Sequence, residues 1–184
     1  MEQCGNRRSI RLKNYDYSRA GMYFVTVCTH GRKNVLSTVS VGEVHLTAIG
    51  HIIPESWAWL CSQYEYVHLD DSIIMPNHIH SIITINACGG GSRTAPTKQK
   101  SLGSIMGAFK TVSTKRINMM LQSPRQAFWQ RNYHEHIIRD EGELLGIRKY
   151  ILHNPYRWAF DRDNPDGQPD TEETQFWHFE RVLT

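Results

Sequence analysis

The 184-residue sequence lacks several features that mark other classes of protein. No apolar run reaches the roughly 18 to 20 residues that a membrane-spanning helix needs. No apolar stretch typical of a signal peptide occurs in the opening MEQCGNRRSIRLKNYDYS, so we expect a cytoplasmic protein without one. The four cysteines are widely spaced and form no Cys-x-x-Cys pair, which favours free thiols over disulfides or a structural zinc site.

A nucleotide-binding P-loop is also missing. The only consecutive glycines, at 89–91, are not followed by lysine at the required spacing, so we expect no nucleotide cofactor. The surrounding segment 87–101 is rich in glycine and basic residues, and we interpret it as a loop. No internal repeat is present, which excludes a repeat architecture.

Charge is distributed unevenly along the chain, although the net charge is only +3. Residues 1–160 carry a net charge of +8, whereas residues 161–184 carry −5. We therefore predict a basic domain over 1–160, followed by an acidic tail over 161–184. A basic domain of this kind is suited to partners that carry phosphate groups.

Hydrophobic patterning predicts one α+β domain. Apolar and β-branched segments predict strands at 23–29, 65–75, 78–85 and 134–139, and apolar residues at helical spacing predict helices at 47–64, 102–121 and 140–155. Pro54 indicates an early turn or kink in the first helix, and Asp140 is a candidate cap of the last. The order of these elements is typical of a ferredoxin-like fold, with an antiparallel sheet, helices on one face and an added C-terminal helix.

The segment MPNHIHSIITI places two histidines inside an apolar strand. Side chains alternate along a strand, so His78 and His80 share one face, about 6.6 Å apart along the backbone. Two imidazoles at this spacing can converge on one divalent cation, but they leave most of its coordination shell free. We therefore expect a third protein ligand. Half-exposed polar residues on a solvent face are the alternative interpretation of such a pair.

The last predicted helix carries two polar residues at positions i and i+4. Tyr150 and Asn154 lie on one face of that helix, next to Ile147 and Ile151. If this face covers the histidine strand, Asn154 can supply the third ligand oxygen and Tyr150 can stand beside the cation. A phenol activated in this way can attack a phosphodiester and form a phosphotyrosine bond. A core tyrosine and a helix-end asparagine are the structural alternatives.

Three motifs together resemble the REP-associated tyrosine transposases, which are single-tyrosine HUH transposases. The motifs are MPNHIH, FWQRNYHEHIIRD and YILHNP, and the similarity extends over about residues 7–158. The resemblance implies that His78 and His80 bind Mg²⁺ or Mn²⁺ and that Tyr150 is the nucleophile, followed by the metal ligand Asn154. It also implies a ferredoxin-like core, a single-stranded or hairpin DNA substrate and a 5′-phosphotyrosine intermediate. Members of the family are monomers or homodimers, so either state is open here.

Other residues compete for these roles. Tyr133 lies in a stretch that strongly resembles the family, and His134 and His136 repeat the spacing of the proposed ligands. We assign Tyr150 as the nucleophile because Tyr133 has no polar partner four residues later on a helix. His136 stays open as a residue near the metal.

Basic and aromatic side chains flank the candidate site and are candidates for DNA binding. Phosphate contacts would position the strand, and aromatic rings can stack on bases. The candidate DNA-binding residues are Arg7, Arg8, Arg11, Lys13, Lys110, Lys115, Arg116, Trp129, Arg131, Tyr133 and Arg139.

We predict an enzyme that nicks and rejoins single-stranded DNA as a transposase. A non-catalytic regulator that binds DNA or RNA hairpins is the main alternative, although a pure binder has no need of the histidine pair and Tyr150. A rolling-circle replication initiator or relaxase shares these residues, but the helicase domain common in replication initiators is absent from this sequence.

Overall fold

The computed structural model describes residues 15–87 and 99–182, with side chains described as far as Phe176 in the last helix. Its strands are β1 (Gly21–Cys28), β2 (Ser37–Ser40), β3 (Glu43–Leu46), β4 (Val67–Ile74), β5 (His78–Ile85) and β6 (His134–Ile138). Its α-helices are α1 (Ala48–Gln63), α2 (Leu102–Met120), α3 (Glu141–His153) and α4 (Thr171–Val182). A 3₁₀ helix, Asn154–Phe160, follows α3 directly.

Four strands form one antiparallel sheet in the order β4-β5-β1-β6. The two central strands, β1 and β5, pair along their whole length, from Gly21 opposite Ile85 to Cys28 opposite His78. With α1 and α2 as the crossover helices, this order is that of a ferredoxin-like fold. The predicted fold class is therefore confirmed.

Polar side chains cap the N-termini of α1, α2 and α3. Thr47 accepts a hydrogen bond from the Gly50 amide at the start of α1, and Ser101 accepts one from the Ser104 amide at the start of α2. Asp140 caps α3, as predicted, by accepting a hydrogen bond of 2.9 Å from the Glu143 amide. These contacts satisfy amides that a helix leaves without intrahelical partners. Pro54 lies inside α1, which continues through it to Gln63.

The two faces of the sheet are covered by different helices. Odd-numbered residues of β1 and β5, such as Val25 and Ile79, pack against α1 and α2 in the main hydrophobic core. Even-numbered residues, Phe24 and Ile82, pack against α3 in a second, smaller core. The strand alternation therefore directs His78 and His80 toward α3 rather than toward the main core.

Besides the 3₁₀ helix, a β-hairpin and an α-helix were not predicted. The hairpin β2–β3 has four residues in each strand, and its turn consists of Val41 and Gly42, both with positive φ angles. A Cβ atom at Gly42 would collide with the ring of Tyr156, so the hairpin lies closely against the 3₁₀ helix. The second is α4, which forms within the segment predicted as a polar tail.

Several sequence predictions fall on residues outside the described ranges. They are the DNA-binding candidates Arg7, Arg8, Arg11 and Lys13, and the glycines at 89–91. Within the described ranges, Cys28 and Cys61 are free thiols, as predicted. No helix in these ranges combines the length and the apolar character that crossing a bilayer requires.

Candidate active site

His78 and His80 lie side by side in the sheet with both rings fully buried. Their Nε2 atoms are 3.0 Å apart, and their ring centroids are 4.4 Å apart. Behind the rings, Asn77 Oδ1 lies 2.8 Å from His78 Nδ1, and Thr26 Oγ1 lies 2.8 Å from His80 Nδ1. The Nδ1 atoms are thus held by polar partners, while the two Nε2 atoms converge on one point.

Asp161 brings a carboxylate to the same point. Its Oδ2 atom is 3.6 Å from His78 Nε2, and the residue is 1% exposed. The ligand atoms of His78, His80 and Asp161 all lie within 4.8 Å of one another. Two imidazole nitrogens and one carboxylate oxygen form a donor set that divalent metal ions accept. The residues present therefore fit a metal site.

Asn154, the predicted third ligand, lies next to Asp161. Its Nδ2 atom donates a hydrogen bond of 3.0 Å to Asp161 Oδ2. Its Oδ1 atom is buried and has no hydrogen-bond partner among the described residues. A buried carbonyl oxygen without a partner is costly unless a further group satisfies it, and a cation or its bound water would do so. Asn154 is thus connected to the cluster through its hydrogen bond to Asp161.

The electrostatic environment favours the neutral form of His80. Burial lowers the pKa of His80 well below its usual value, and the nearby His78, His134 and Arg162 lower it further. Phe24 stacks on the His80 ring with a centroid distance of 5.3 Å. A neutral imidazole keeps a lone pair for a metal ion, so the pKa shift is consistent with a ligand role.

Tyr150 of α3 lies beside His80. The centroids of the two rings are 5.3 Å apart, and Tyr150 also contacts Phe24 edge to face. The Tyr150 hydroxyl donates a hydrogen bond of 3.2 Å to Glu173 Oε1. Burial, followed by the charges of Asp161, Glu173 and Asp163, raises the pKa of Tyr150 well above its usual value. In this conformation the phenol is therefore held in its protonated form.

Helix α3 is anchored over the histidines by apolar and charged contacts. Ile147 and Ile151 pack against the second core. Arg148 donates a hydrogen bond of 2.6 Å to Asp70 and lies 3.5 Å from Asp71 in β4. A register shift in the pairing of β4 with β5 occurs at these two aspartates. Together these contacts determine where Tyr150 stands relative to the histidine strand.

Helix α4 covers Tyr150. The ring of Phe176 stacks on that of Tyr150 with a centroid distance of 3.7 Å and an interplanar angle of 4°. Arg157 holds the N-terminal end of α4 through ion pairs of 2.6 Å to Asp170 and 2.7 Å to Glu172. The segment after residue 160 thus contributes Asp161 and Glu173 to the site, although sequence analysis assigned no role to it.

The competing residues of β6 lie two strands from β5. His134 and His136 face the same side of the sheet as His80, because they pair with Thr26 and Phe24 of β1. The Nε2 atom of His136 is 3.5 Å from Glu143 Oε2, and His136 is not part of the three-residue cluster. Tyr133 is half-buried, with the Lys110 ammonium 5.2 Å from its ring centroid.

Most described candidates for DNA binding lie on the opposite face of the sheet, around α2. Residues of α2 and of the segment 127–131 line an open groove of about 450 Å³. Lys115 and Arg131 are exposed there, whereas Trp129 is buried and donates a hydrogen bond to Ser113. Arg116 is half-buried on the same helix, and Arg139 lies at the end of β6 near Glu143. The structure therefore does not bring these residues together with Tyr150.

Lys110 has an evident structural role. Its ammonium group donates hydrogen bonds to the backbone carbonyls of Gln130, Arg131 and Asn132. Burial lowers the pKa of Lys110 to about 8. Lys110 thus stabilises the wall of the groove, and its contact with phosphate stays a prediction.

A comparison with known families decides which family the chain belongs to. The family model described as IS200-like transposase matches residues 18–154. The chain belongs to the IS200-like transposase family. The family match ends at Asn154, so this IS200-like transposase carries Asp161 and Glu173 beyond the matched region.

Two relatives and one solved structure are similar to this chain. The IS200-like transposase is 34% identical over 170 residues to an uncharacterized protein of Haemophilus influenzae, covering 85% of this chain and 92% of that protein. It is 23% identical over 159 residues to a protein of the same organism named "Putative REP-associated tyrosine transposase", covering 81% and 79%. A structure of a REP-associated tyrosine transposase bound to a REP hairpin has the same fold, with a TM-score of 0.56, 17% identity and coverage of 81% and 74%. The resemblance inferred from the sequence is confirmed.

Proposed function

We propose that this transposase nicks and rejoins single-stranded DNA with Tyr150 as the nucleophile. The observation that carries the proposal is the position of Tyr150, whose ring lies 5.3 Å from that of His80, next to the cluster of His78, His80 and Asp161. A phenol beside a cluster of metal-ligating groups is an arrangement suited to covalent phosphoryl transfer, because the phenol can act as the nucleophile and a metal ion can stabilise the developing charge.

The reaction proceeds by exchange of one phosphodiester for another. Tyr150 Oη forms a bond to phosphorus, its proton is released, and the bond from phosphorus to the 3′ oxygen breaks. The 3′ oxygen leaves and takes up a proton, which frees the upstream fragment, while the downstream fragment stays attached to Tyr150 through its 5′ phosphate as a 5′-phosphotyrosine. Attack by a 3′ hydroxyl on the phosphotyrosine reverses these steps and rejoins a strand. No high-energy cofactor is needed because the phosphotyrosine bond replaces the broken one.

The proposed cofactor is Mg²⁺ or Mn²⁺, held by Nε2 of His78, Nε2 of His80 and the carboxylate of Asp161. Asn154 joins this set through its amide, which already contacts Asp161. When bound there, such an ion would polarise the scissile phosphate and would stabilise the negative charge that develops on its oxygens.

Side chains of α4 contact both the hydroxyl and the ring of Tyr150. The Tyr150 hydroxyl faces Glu173, and its ring is covered by Phe176. We propose that a phosphodiester at Tyr150 Oη displaces the carboxylate of Glu173 from its hydrogen bond. Displacement of Glu173 also removes one of the charges that raise the pKa of Tyr150.

The proposed substrate is DNA that contains a hairpin and a single-stranded flank. The solved relative, which shares this fold, is bound to a REP hairpin. Exposed basic residues such as Lys115 and Arg131 would contact phosphates along the groove beside α2, and Arg139 would do so near β6. Arg7, Arg8, Arg11 and Lys13 extend this proposed DNA-binding set, as do Lys110, Arg116, Trp129 and Tyr133. The proposed location is the cytoplasm, and the proposed oligomeric state is a monomer or a homodimer.

A covalent adduct assay tests the proposal. Hairpin oligonucleotides taken from inverted repeats that flank the gene, labelled at the 3′ end, are incubated with the protein in Mg²⁺, Mn²⁺ or EDTA and separated on denaturing gels. We expect a metal-dependent labelled adduct with the wild type and with Tyr133→Phe, and none with Tyr150→Phe. The same oligonucleotides labelled at the 5′ end should release a free labelled fragment.

Two outcomes would contradict the assignment. An adduct that persists in Tyr150→Phe and disappears in Tyr133→Phe would identify Tyr133, and not Tyr150, as the nucleophile. Hairpin binding that is unaffected by EDTA, with no adduct, would favour a non-catalytic regulator. The observation in favour of that second function is the ring of Phe176, which covers the ring of Tyr150.

A further inference from the structure

Asn77, which precedes His78, makes side-chain contacts both with His78 and with backbone carbonyls of two loops. It is fully buried in the connection between β4 and β5. Its Nδ2 atom donates hydrogen bonds of 2.7 Å to the carbonyl of Asp163 and 3.3 Å to the carbonyl of Arg32. Carbonyl oxygens only accept hydrogen bonds, so the NH₂ end of the amide must face them. The Oδ1 end of Asn77 therefore faces His78.

This orientation determines the tautomer of His78. Asn77 Oδ1 is an acceptor 2.8 Å from His78 Nδ1, so Nδ1 carries the proton and donates it. The neutral ring then has its lone pair on Nε2, the atom that lies 3.0 Å from His80 Nε2 and 3.6 Å from Asp161 Oδ2. A metal ion binds an imidazole only through a nitrogen with a free lone pair.

The NH₂ end of Asn77 contacts the loop that carries Asp161. Asp163 lies two residues after Asp161, and its carbonyl accepts the shorter of the Asn77 hydrogen bonds. Arg32 supports the same loop through an ion pair of 2.8 Å with Asp163 and a hydrogen bond of 3.1 Å to the carbonyl of Arg162. Asn77 thus joins the histidine strand to the loop that supplies the carboxylate.

We propose that Asn77 is a positioning residue that assembles the cation site: it holds His78 in the tautomer with a free Nε2 and holds the Asp161 loop against it. The inference rests on the metal site of the proposed function. Residues that orient metal-binding histidines typically change metal affinity by about 10- to 100-fold when they are removed. We expect a change of this size on loss of Asn77.

The tautomer is measured first, in the metal-free protein. ¹⁵N NMR of the histidine rings distinguishes a protonated from an unprotonated Nε2, and the His78 signals are assigned by their absence in His78→Gln. We expect protonated Nδ1 and unprotonated Nε2 in the wild type and in Asn77→Asp, whose carboxylate still accepts from Nδ1. In Asn77→Ala we expect a mixture of tautomers. A wild-type His78 with protonated Nε2 would overturn the inference without any variant.

Affinity for Mn²⁺ is measured next, by EPR of the free ion. We expect binding by Asn77→Ala to be about 10- to 100-fold weaker than by the wild type. Asn118→Ala is the matched control, since Asn118 donates to the carbonyl of Gln126 on the opposite side of the sheet and should leave Mn²⁺ affinity unchanged. Equal affinities of Asn77→Ala and the wild type would overturn the inference. A wild type that binds no Mn²⁺ would overturn the proposed metal site instead, while the tautomer measurement still decides the role of Asn77.

Discussion

The carboxylate of Asp161 lies 3.6 Å from Nε2 of His78, although the first comes from a loop after α3 and the second from a central strand. Among the described residues, no lysine or arginine side chain forms an ion pair with Asp161 Oδ2 or lies against His78 Nε2. A lone pair and a carboxylate in a buried space repel each other unless a proton or a cation lies between them. The relationship therefore makes Asp161 the first residue to test for cation binding.

Replacement of Asp161 by asparagine should weaken Mn²⁺ binding by about tenfold or more, because the site loses a negative charge as well as a ligand. Isothermal titration of the purified protein with MnCl₂ measures the effect. Asp166→Asn is the matched control, since it removes the same charge from an exposed position of the same segment. Similar dissociation constants for Asp161→Asn and Asp166→Asn would contradict a ligand role for Asp161.

Replacement of Glu173 by glutamine should lower the pKa of Tyr150, because the charge of Glu173 is one of the causes that raise it. The raised pKa stabilises the folded state, and this contribution is present below about pH 10 and lost as the pH rises toward the pKa of the folded state. Absorbance at 295 nm during alkaline titration, corrected with Tyr150→Phe in each background, measures the shift. Glu172→Gln, whose side chain pairs with Arg157, should leave the titration of Tyr150 unchanged; an equal shift in both variants would exclude a specific effect of Glu173.

Arg148 and Asp70 should show a favourable coupling energy of about 0.5–1 kcal/mol, as expected for a partly exposed ion pair of good geometry. A double-mutant cycle with Arg148→Met and Asp70→Asn, measured by urea unfolding, gives this value. The coupling should decrease in 1 M salt because the pair is accessible to counterions. The parallel cycle with Asp71, which is 3.5 Å away, should give a smaller energy. Additive effects of Arg148→Met and Asp70→Asn would show that the pair does not anchor α3.

Two glycines in helices should respond in opposite directions to substitution by alanine. A Cβ atom at Gly50 would collide with the carbonyl oxygen of Leu36, so Gly50→Ala must displace the backbone and lower the free energy of unfolding. A Cβ atom at Gly107 meets no described atom within 4 Å, so Gly107→Ala should stabilise the protein by about 0.5–1 kcal/mol. Thermal unfolding compares the two variants. Stabilisation by Gly50→Ala would show that the contact between α1 and Leu36 is looser than described.

Local patterns were sufficient for the scaffold and for part of the site. The strand His78–Ile85 has the predicted bounds, and Asp140 caps α3 as its sequence indicates. Alternation along the strand correctly directs His78 and His80 to one face, since the period of a strand is a property of the backbone. The spacing of Tyr150 and Asn154 likewise predicts a shared helix face, and both residues do lie near the histidines.

Other parts of the site depend on contacts that local patterns do not encode. The strands of the β2–β3 hairpin are too short for a periodic signal, and α4 lies in a segment rich in charge, proline and turn residues. Asp161 is one of several acidic residues after position 160, and no feature of its neighbourhood distinguishes it from Asp166. The only feature of the sequence that pointed to a carboxylate ligand was the presence of acidic residues after the helix that carries Tyr150.

The amino-acid sequence by itself determined the order of the core elements, the common face of the two histidines and the place of Tyr150 on the last core helix. These follow from backbone periodicity and helix capping, which act over a few neighbouring residues. The tertiary structure alone decided that Asp161 lies beside the histidines and that Asn77 connects the histidine strand to the loop of Asp161. It also decided that Glu173 and Phe176 contact Tyr150. Those contacts arise because the chain folds back over α3 after Asn154, and the direction of such a return depends on packing between distant surfaces.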